Sequence, residues 1–433
     1  MKALHYSTDR EEGQDYVLQH AAIPRVLFAI EKQLLFAPLF PLLTRLVLKI
    51  KRPRPLLEDL LRYIPSPSSN LRFLFIEFHA RDRYPPAVLD FISRLSEYAA
   101  SVVHLKLKLY GQLTAEEPSI DLFVNSNRHV NLRVLSVDCA YLSPLSFSRI
   151  AYFPALRHLE IRLESPLRGL RSNLIASLST LVRLSLRVTE TSLAIDFFGC
   201  IGNLPQVTHI TTCISQSPPS ERELGEIARQ IHRSCCAMSF KHLKISFNNL
   251  DTGATLPAPS QPSYDLRVFL PLASKFSLCS LNLSIQLPLF PPRSTDVAKM
   301  ASAWVNLTSI KVDSDHLIPS DHLAAVSICN LVPFLQTCSR LRQLYIPFKH
   351  LLSEHLPTIH ARHLFDLGVG YMLPGSDEAS TVARWLHFVA PRLPEMALAD
   401  ASGEVLAYDI SELMRIDEEE DSVSEYVDSG GES

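Results

Sequence analysis

The eight residues Leu156–Leu163 form a unit with apolar side chains at positions 0, 3, 5 and 7, where position 0 is the first residue. Near-copies of this unit recur along almost the whole chain. Thirteen copies begin at Leu43, Leu71, Val102, Leu132, Leu156, Leu181, Val207, Phe240, Leu278, Leu307, Leu341, Leu364 and Leu393, at intervals of 23 to 38 residues. A series of this length predicts a repeat protein, in which one supersecondary unit is stacked on the next.

Helical patterns separate the predicted strands. Ser220 and Glu223 form a capping-box pair before an apolar stripe, and similar stripes cover residues 55–64, 85–99, 297–304, 321–338 and 382–389. Alternating strands and helices predict an α/β fold with a parallel sheet. Because thirteen units of unequal length exceed the eight of a closed barrel, we expect an open, curved solenoid of about 13 strands with helices on its convex side.

The L-x-x-L-x-L core of these copies resembles that of leucine-rich repeats. The LRxLxL strands, the irregular spacing and the helices that end at proline are similar to the RNI-like arrays of fungal F-box/leucine-rich-repeat proteins, and Phe36–Leu46 resembles their entry into the first repeat. In that family the F-box docks on a ubiquitin-ligase scaffold and the repeats hold the substrate. No F-box is visible before Leu43, so binding to a ligase adaptor is not expected of this chain.

Three regions are predicted. Residues 1–42 form an N-terminal segment, loose over residues 1–20 and with a helical cap over 23–40; residues 43–400 form the solenoid; residues 401–433 form a C-terminal cap and a disordered acidic tail. Residues 412–433 carry nine acidic residues and one arginine, net −8, so residues 1–411 are net +5. The Pro-rich segment 251–263 is predicted to be a projecting loop, either a tolerated insertion, which we favour, or a binding loop.

The composition indicates a cytoplasmic or nuclear protein. The N-terminus lacks the apolar run of a signal peptide, and no uncharged apolar stretch is long enough to span a bilayer. The eight cysteines form no C-x-x-C pair, so we expect reduced, mostly buried thiols rather than a disulfide framework or a zinc site.

Catalytic motifs are absent from the sequence. It has no G-x-S-x-G, H-E-x-x-H or P-loop pattern. Four histidines, His350, His355, His360 and His363, lie close together, but their spacing places no pair at i and i+4 on one helix face, so we favour solvated surface histidines over a metal site. The prediction is a non-enzymatic protein with no cofactor, metal or catalytic residues.

Side chains at positions 2, 4 and 6 point away from the predicted core and form columns on the exposed face of the sheet. In the first six copies these columns hold seven basic residues against Glu77, Asp138 and Glu160, and the first column also holds histidines. The predicted partner-binding residues are Arg45, Lys49, His104, Lys106, Lys108, His158, Arg162, Arg183 and Arg187. This surface is either ordinary solvated sheet or a recognition face for an acidic peptide or protein.

We expect a monomer that binds a protein partner on the concave face of the sheet, with substrate recognition in ubiquitin ligation implied by the resemblance. The alternatives are a GTPase-activating or other regulatory leucine-rich-repeat protein and a structural scaffold. Nucleic acid is disfavoured as a partner because few aromatic residues lie in the exposed columns.

Overall fold

Each of the thirteen copies contains a β-strand that begins two residues after position 0. The computed structural model describes residues 3–7, 44–50, 70–79, 90, 101–110, 130–139, 144–164, 178–215, 219–247, 264–273, 275–284, 289–290, 294–313, 326–349, 366–370, 395–399 and 405–409. The chain forms two compact units, unit 1 (Met1–Ile210 with Arg233–Cys236) and unit 2 (Thr211–His232 with Ala237–Ser433).

Unit 1 is built on a parallel sheet whose strand order follows the chain. Its strands are β1 (Ala3–Ser7), β2 (Arg45–Ile50), β3 (Phe73–His79), β4 (His104–Tyr110), β5 (Val134–Cys139), β6 (His158–Leu163) and β7 (Arg183–Val188). Each strand pairs with the next in parallel, with the same repeat position opposite itself, as for Leu105 with Leu135 and Leu159 with Leu184. Helices α1 (Pro144–Ile150) and α2 (Thr191–Cys200) follow β5 and β7. Strand β8 (His209–Ile214) lies where the chain passes into unit 2.

Unit 2 repeats the arrangement. Its strands are β9 (His242–Phe247), β10 (Tyr264–Asp265), β11 (Ser280–Ser284), β12 (Leu289–Phe290), β13 (Ser309–Asp313), β14 (Val326–Ser327), β15 (Gln343–Lys349), β16 (Asp366–Gly370), β17 (Glu395–Ala399) and β18 (Val405–Asp409). Strands β9, β11, β13, β15, β16 and β17 pair in parallel in that order, and β10 with β12 forms a separate short pair. The helices are α3 (Glu221–Ser234), α4 (Leu270–Ala273), α5 (Ser294–Ala303) and α6 (Ile328–Thr337).

Positions 0, 3, 5 and 7 of the repeat form the core. In β3, β4 and β6 buried residues alternate with partly exposed ones, because successive side chains of a strand point to opposite faces. Phenylalanines from the helices complete the core: the rings of Phe147 in α1 and Phe197 in α2 lie 5.3 Å apart. Trp304, which follows α5, is fully buried in unit 2. The predicted α/β leucine-rich-repeat architecture with an open parallel sheet is confirmed.

The N-terminal strand differs from the expectation. The loose segment predicted for residues 1–20 is wrong for Ala3–Ser7, which pair in parallel with Arg45–Lys49 of β2. Without β1, that side of β2 would expose unpaired backbone groups. At the other end β18 pairs antiparallel with β17, so the predicted C-terminal cap includes a strand. The predicted helical cap, the acidic tail, the loop 251–263 and the four clustered histidines lie outside the described residues.

Candidate functional site

The exposed sheet face of unit 1 is organised in columns, since equal repeat positions lie side by side in neighbouring strands. The first column, at position 2, runs from Arg45 through Phe73, His104, Val134 and His158 to Arg183. The second, at position 4, holds Val47, Phe75, Lys106, Ser136, Glu160 and Ser185. The third, at position 6, includes Lys49, Glu77, Lys108 and Asp138, and then Arg162 opposite Arg187. Adjacent members of a column are therefore about 4.8 Å apart across the sheet.

Cations lie against aromatic rings at the β2–β4 end of this face. The Arg45 guanidinium lies 4.4 Å from the ring centroid of Phe73, and the Phe73 ring lies 6.2 Å from that of His104. The ammonium group of Lys106 lies 5.8 Å from the ring of Phe75, within the range of a cation–π contact. These contacts hold the cations in place, and no carboxylate among the described residues forms an ion pair with Arg45 or Lys106.

Arg162 and Arg187 have a different environment, which we call the Asp138 cluster (Asp138, Glu160, Arg162, Glu164 and Arg187). Arg162 lies 2.7 Å from Glu164 and 3.5 Å from Asp138, and Arg187 lies 2.9 Å from Glu160 and 3.6 Å from Asp138. With two cations and three carboxylates, this cluster has a net charge of −1, so the charges of both arginines are compensated within it. The side chain of Asp138 is only 9% exposed, so removing both arginines would leave a buried charge unpaired.

His158 lies in the most cationic part of the first column. Burial lowers the pKa of its imidazole, and the charges of Arg183, His104 and Arg157 lower it further. The predicted residues His104, His158 and Arg183 are therefore close enough to influence one another.

The nine predicted site residues thus divide into three environments. Arg45, Lys49, Lys106 and Lys108 lie on β2–β4, where Glu77 is the acidic residue of the columns; His104, His158 and Arg183 lie in the first column; Arg162 and Arg187 belong to the Asp138 cluster.

Three exposed arginines of unit 1 were missed by considering only positions 2, 4 and 6. Arg72, Arg133 and Arg157 occupy position 1, immediately before β3, β5 and β6. The recurring sequence Leu-Arg at positions 0 and 1 was the available signal.

A ladder of backbone hydrogen bonds fixes the spacing of position 1. The N–H groups at positions 1 and 2 both donate to the carbonyl at position 1 of the preceding copy, as Arg157 and His158 do to Arg133 at 2.9 Å. The same pattern recurs in unit 2, where Thr308 and Ser309 donate to Cys279. Position 1 therefore forms a column of its own at the edge where the strands begin.

No group of His, Cys, Asp or Glu in the described part of the chain could hold a metal ion. Of the six cysteines whose side chains are described, two are buried and four are half-buried. Burial raises the pKa of the Cys338 thiol to about 12, so this group is not an activated nucleophile. None of the described helices is long and apolar enough to cross a membrane.

No protein-family model matches the sequence, and no curated protein matches it significantly. Among solved structures the chain is similar to an internalin from Listeria monocytogenes, at 14% identity and a TM-score of 0.34, over 83% of this chain and 74% of that chain. It is also similar to the Rad7 and Elc1 complex in yeast, at 12% identity and a TM-score of 0.34, over 88% of this chain and 83% of that chain. At these values neither likeness says what this chain binds.

Proposed function

We propose that this protein is a non-enzymatic interaction module that binds a protein partner on the exposed sheet face of unit 1. The observation that carries the proposal is the in-register arrangement of polar, basic and aromatic side chains in three columns opposite the apolar core. Such a surface is broad and rigid, because its side chains are fixed to paired strands. Arginine and aromatic residues, both present on this face, are enriched in protein–protein interfaces.

The partner is expected to present an acidic surface or peptide. Lys49, Lys106 and Lys108 on β2 and β4, together with Arg45, give this part of the face a positive charge that complements carboxylates. Within this function, a role in substrate recognition for ubiquitin ligation is supported by the sequence resemblance of the repeats alone.

The binding face can be tested by site-specific photo-cross-linking in an extract of the native source. A photoreactive residue replaces Ser185 on β7, in the second column, and in a matched variant replaces Asp196, which is exposed on α2. We expect a protein to be cross-linked from Ser185 and not from Asp196. Cross-linking from Asp196 alone would place the binding surface on the helices and reject the proposal.

The identity of the cross-linked protein separates the possible roles. A ligase component or its substrate would support ubiquitin ligation, a small GTPase would support the regulatory alternative, and several members of one assembly would support a scaffold. Recovery of no protein from either position would reject the interaction module.

A further inference from the structure

Arg133, Arg157 and Arg183, which we call the arginine edge, lie on three consecutive repeats at the edge of the sheet where β5, β6 and β7 begin. The N–H of Arg157 donates to the Arg133 carbonyl at 2.9 Å, and the N–H of Arg183 donates to the Arg157 carbonyl at 2.9 Å. The three backbones are thus joined directly, and all three side chains are exposed. Their guanidinium groups can therefore contact a single extended ligand.

The charge at this edge is uncompensated. The described segments that form it, residues 130–134, 154–158 and 178–183, contain no Asp or Glu, and none of the three arginines has an ion pair with a carboxylate among the described residues. By contrast, Arg162 and Arg187 near the other end of β6 and β7 are held by the Asp138 cluster. The free cationic charge of this part of unit 1 is therefore concentrated at the arginine edge.

His158 lies opposite Arg183 in the first column and directly follows Arg157, so it is flanked by two cations of the arginine edge. Burial lowers the pKa of its imidazole, and the charges of Arg183, His104 and Arg157 lower it further.

Exposed apolar side chains accompany the arginines. Among the described residues of unit 1, the large hydrophobic side chains that are exposed are Tyr152, at 67%, and Val130, at 51%. Both lie in turns that lead into the arginine edge, Val130 before β5 and Tyr152 before β6. Tyr152 precedes Arg157 by five residues, and tyrosine and arginine are both enriched at the energetic centre of protein interfaces.

We propose that the arginine edge, with Tyr152 and Val130, binds an extended acidic segment of the protein partner that also carries a large apolar side chain. This inference rests on the proposed function. It specifies the chemical character of the partner segment and the part of unit 1 that binds it. Carboxylates of the segment pair with the arginines, bidentate where geometry allows, and its apolar side chain packs on Tyr152. A nucleic acid is a poorer fit, because its bases need a series of stacking aromatics and Tyr152 is the exposed aromatic here.

Three fluorescent probes test the proposal in anisotropy titrations at low salt. They are a ten-residue glutamate peptide, the same peptide with Leu and Phe at its centre, and a ten-nucleotide single-stranded DNA. The edge variant is Arg133→Gln/Arg157→Gln/Arg183→Gln. The matched control, Arg222→Gln/Arg229→Gln/Lys299→Gln, changes the net charge equally but alters exposed positions on helices α3 and α5 of unit 2.

We expect both peptides to bind the wild-type chain, the Leu-Phe peptide more tightly. The edge variant should weaken both by about tenfold, since three exposed ion pairs are lost, and the control variant by less than about threefold. Tyr152→Ser should weaken only the Leu-Phe peptide. Thermal melting of each variant verifies that it folds. If the triple variant does not fold, the single variant Arg157→Gln replaces it and should weaken binding of both peptides by an intermediate factor.

Equal loss from the edge and control variants, no binding of either peptide, or tighter binding of the DNA would each overturn the inference. These results leave the cross-linking from Ser185 intact, so they reject the arginine edge without rejecting the interaction module. Peptide binding at the edge with no protein cross-linked from Ser185 would support the edge and reject the wider proposal.

Discussion

Thr212 is the one polar residue at repeat position 5 among the thirteen copies, where the others carry Leu, Ile or Val. Its side chain is fully buried, and its hydroxyl makes no hydrogen bond to any residue that the structure describes. A buried hydroxyl without a partner destabilises the folded state by about 1–3 kcal/mol. Such a residue is the weakest point of an otherwise apolar column.

Replacing Thr212 with Val, which has nearly the same shape, should therefore raise the free energy of unfolding by about 1 kcal/mol or more. Urea denaturation measures the change. Thr208→Val is the matched control, because the Thr208 hydroxyl donates to the Val182 carbonyl at 3.2 Å and its loss should lower stability by about 0.5–1.5 kcal/mol. A Thr212→Val protein less stable than the wild type would show that this hydroxyl has a partner.

The titration of His158 reports on its cationic neighbours. Because burial, Arg183, His104 and Arg157 all lower its pKa, the folded value lies below the ordinary 6.5. The unfolded chain then binds the proton more readily, so His158 reduces stability as the pH falls below 6.5 towards the folded pKa.

Arg183→Gln should raise the pKa of His158, although burial will still hold it below 6.5. A titration of the imidazole by NMR in both proteins measures the difference. Arg162→Gln, which removes a cation that is neutralised by Glu164, should leave the His158 pKa unchanged. An unchanged value in Arg183→Gln would contradict the proximity of the two groups.

At the scale of an element, α3 shows how a local sequence signal fixes the start of a helix. The Ser220 hydroxyl accepts from the Glu223 N–H at 3.3 Å, and the Glu223 carboxylate accepts from the Ser220 N–H at 2.7 Å. Two N–H groups that the helix would otherwise leave unpaired are satisfied.

Ser220→Ala should lower the free energy of unfolding by about 1 kcal/mol, as expected for the loss of an N-cap. Gly225→Ala in the same helix should raise the free energy of unfolding by about 0.5–1 kcal/mol. A Cβ there meets no atom within 4 Å, and glycine is a poor helix former. Thermal melting compares the two. If both changes lower the melting temperature equally, local helix stability does not govern the stability of unit 2.

The sequence predicted strands better than helices, for a physical reason. Alternating apolar residues at positions 3, 5 and 7 locate every strand of the repeat, and the Ser220–Glu223 spacing locates α3. Helix α2 was missed, since its preceding residue Glu190 makes no side-chain capping bond and so gives no start signal. Its buried residues Leu193, Ala194, Phe197 and Phe198 are recognisable as one stripe only once the start is known.

The site was predictable in its columns but not in its charge balance. Periodicity alone places Arg162 and Arg187 on the exposed face. Their ion pairs with Asp138, Glu160 and Glu164 depend on which strands are neighbours and on which rotamers the side chains adopt. Periodicity specifies neither. To predict that the arginines at position 1 are exposed, one would need the conformation of the turn before each strand, because the alternation of side chains begins only with the strand.

At the scale of the whole molecule, a repeat architecture confines the effect of a mutation, because each strand contacts its immediate neighbours. Leu107 on β4 is fully buried between β3 and β5. Leu107→Ala should lower the free energy of unfolding of unit 1 by about 2–5 kcal/mol.

Hydrogen exchange should then speed up in β3, β4 and β5 and change little in β7. A conservative Leu107→Met variant should leave the pattern close to that of the wild type. Uniform loss of protection throughout unit 1 would mean that its repeats unfold as a single cooperative block.

The ordered, in-register stacking of β1 to β7 also determines how unit 1 responds to mechanical force. Tension applied between its first and last strands acts along the inter-strand hydrogen bonds, so the strand pairs bear the force in series and the weakest pair separates first. Copies in unit 1 begin 24 to 31 residues apart, and each strand that detaches releases about 80–110 Å of extended chain. Under tension, unit 1 should therefore lengthen in separate steps of this size.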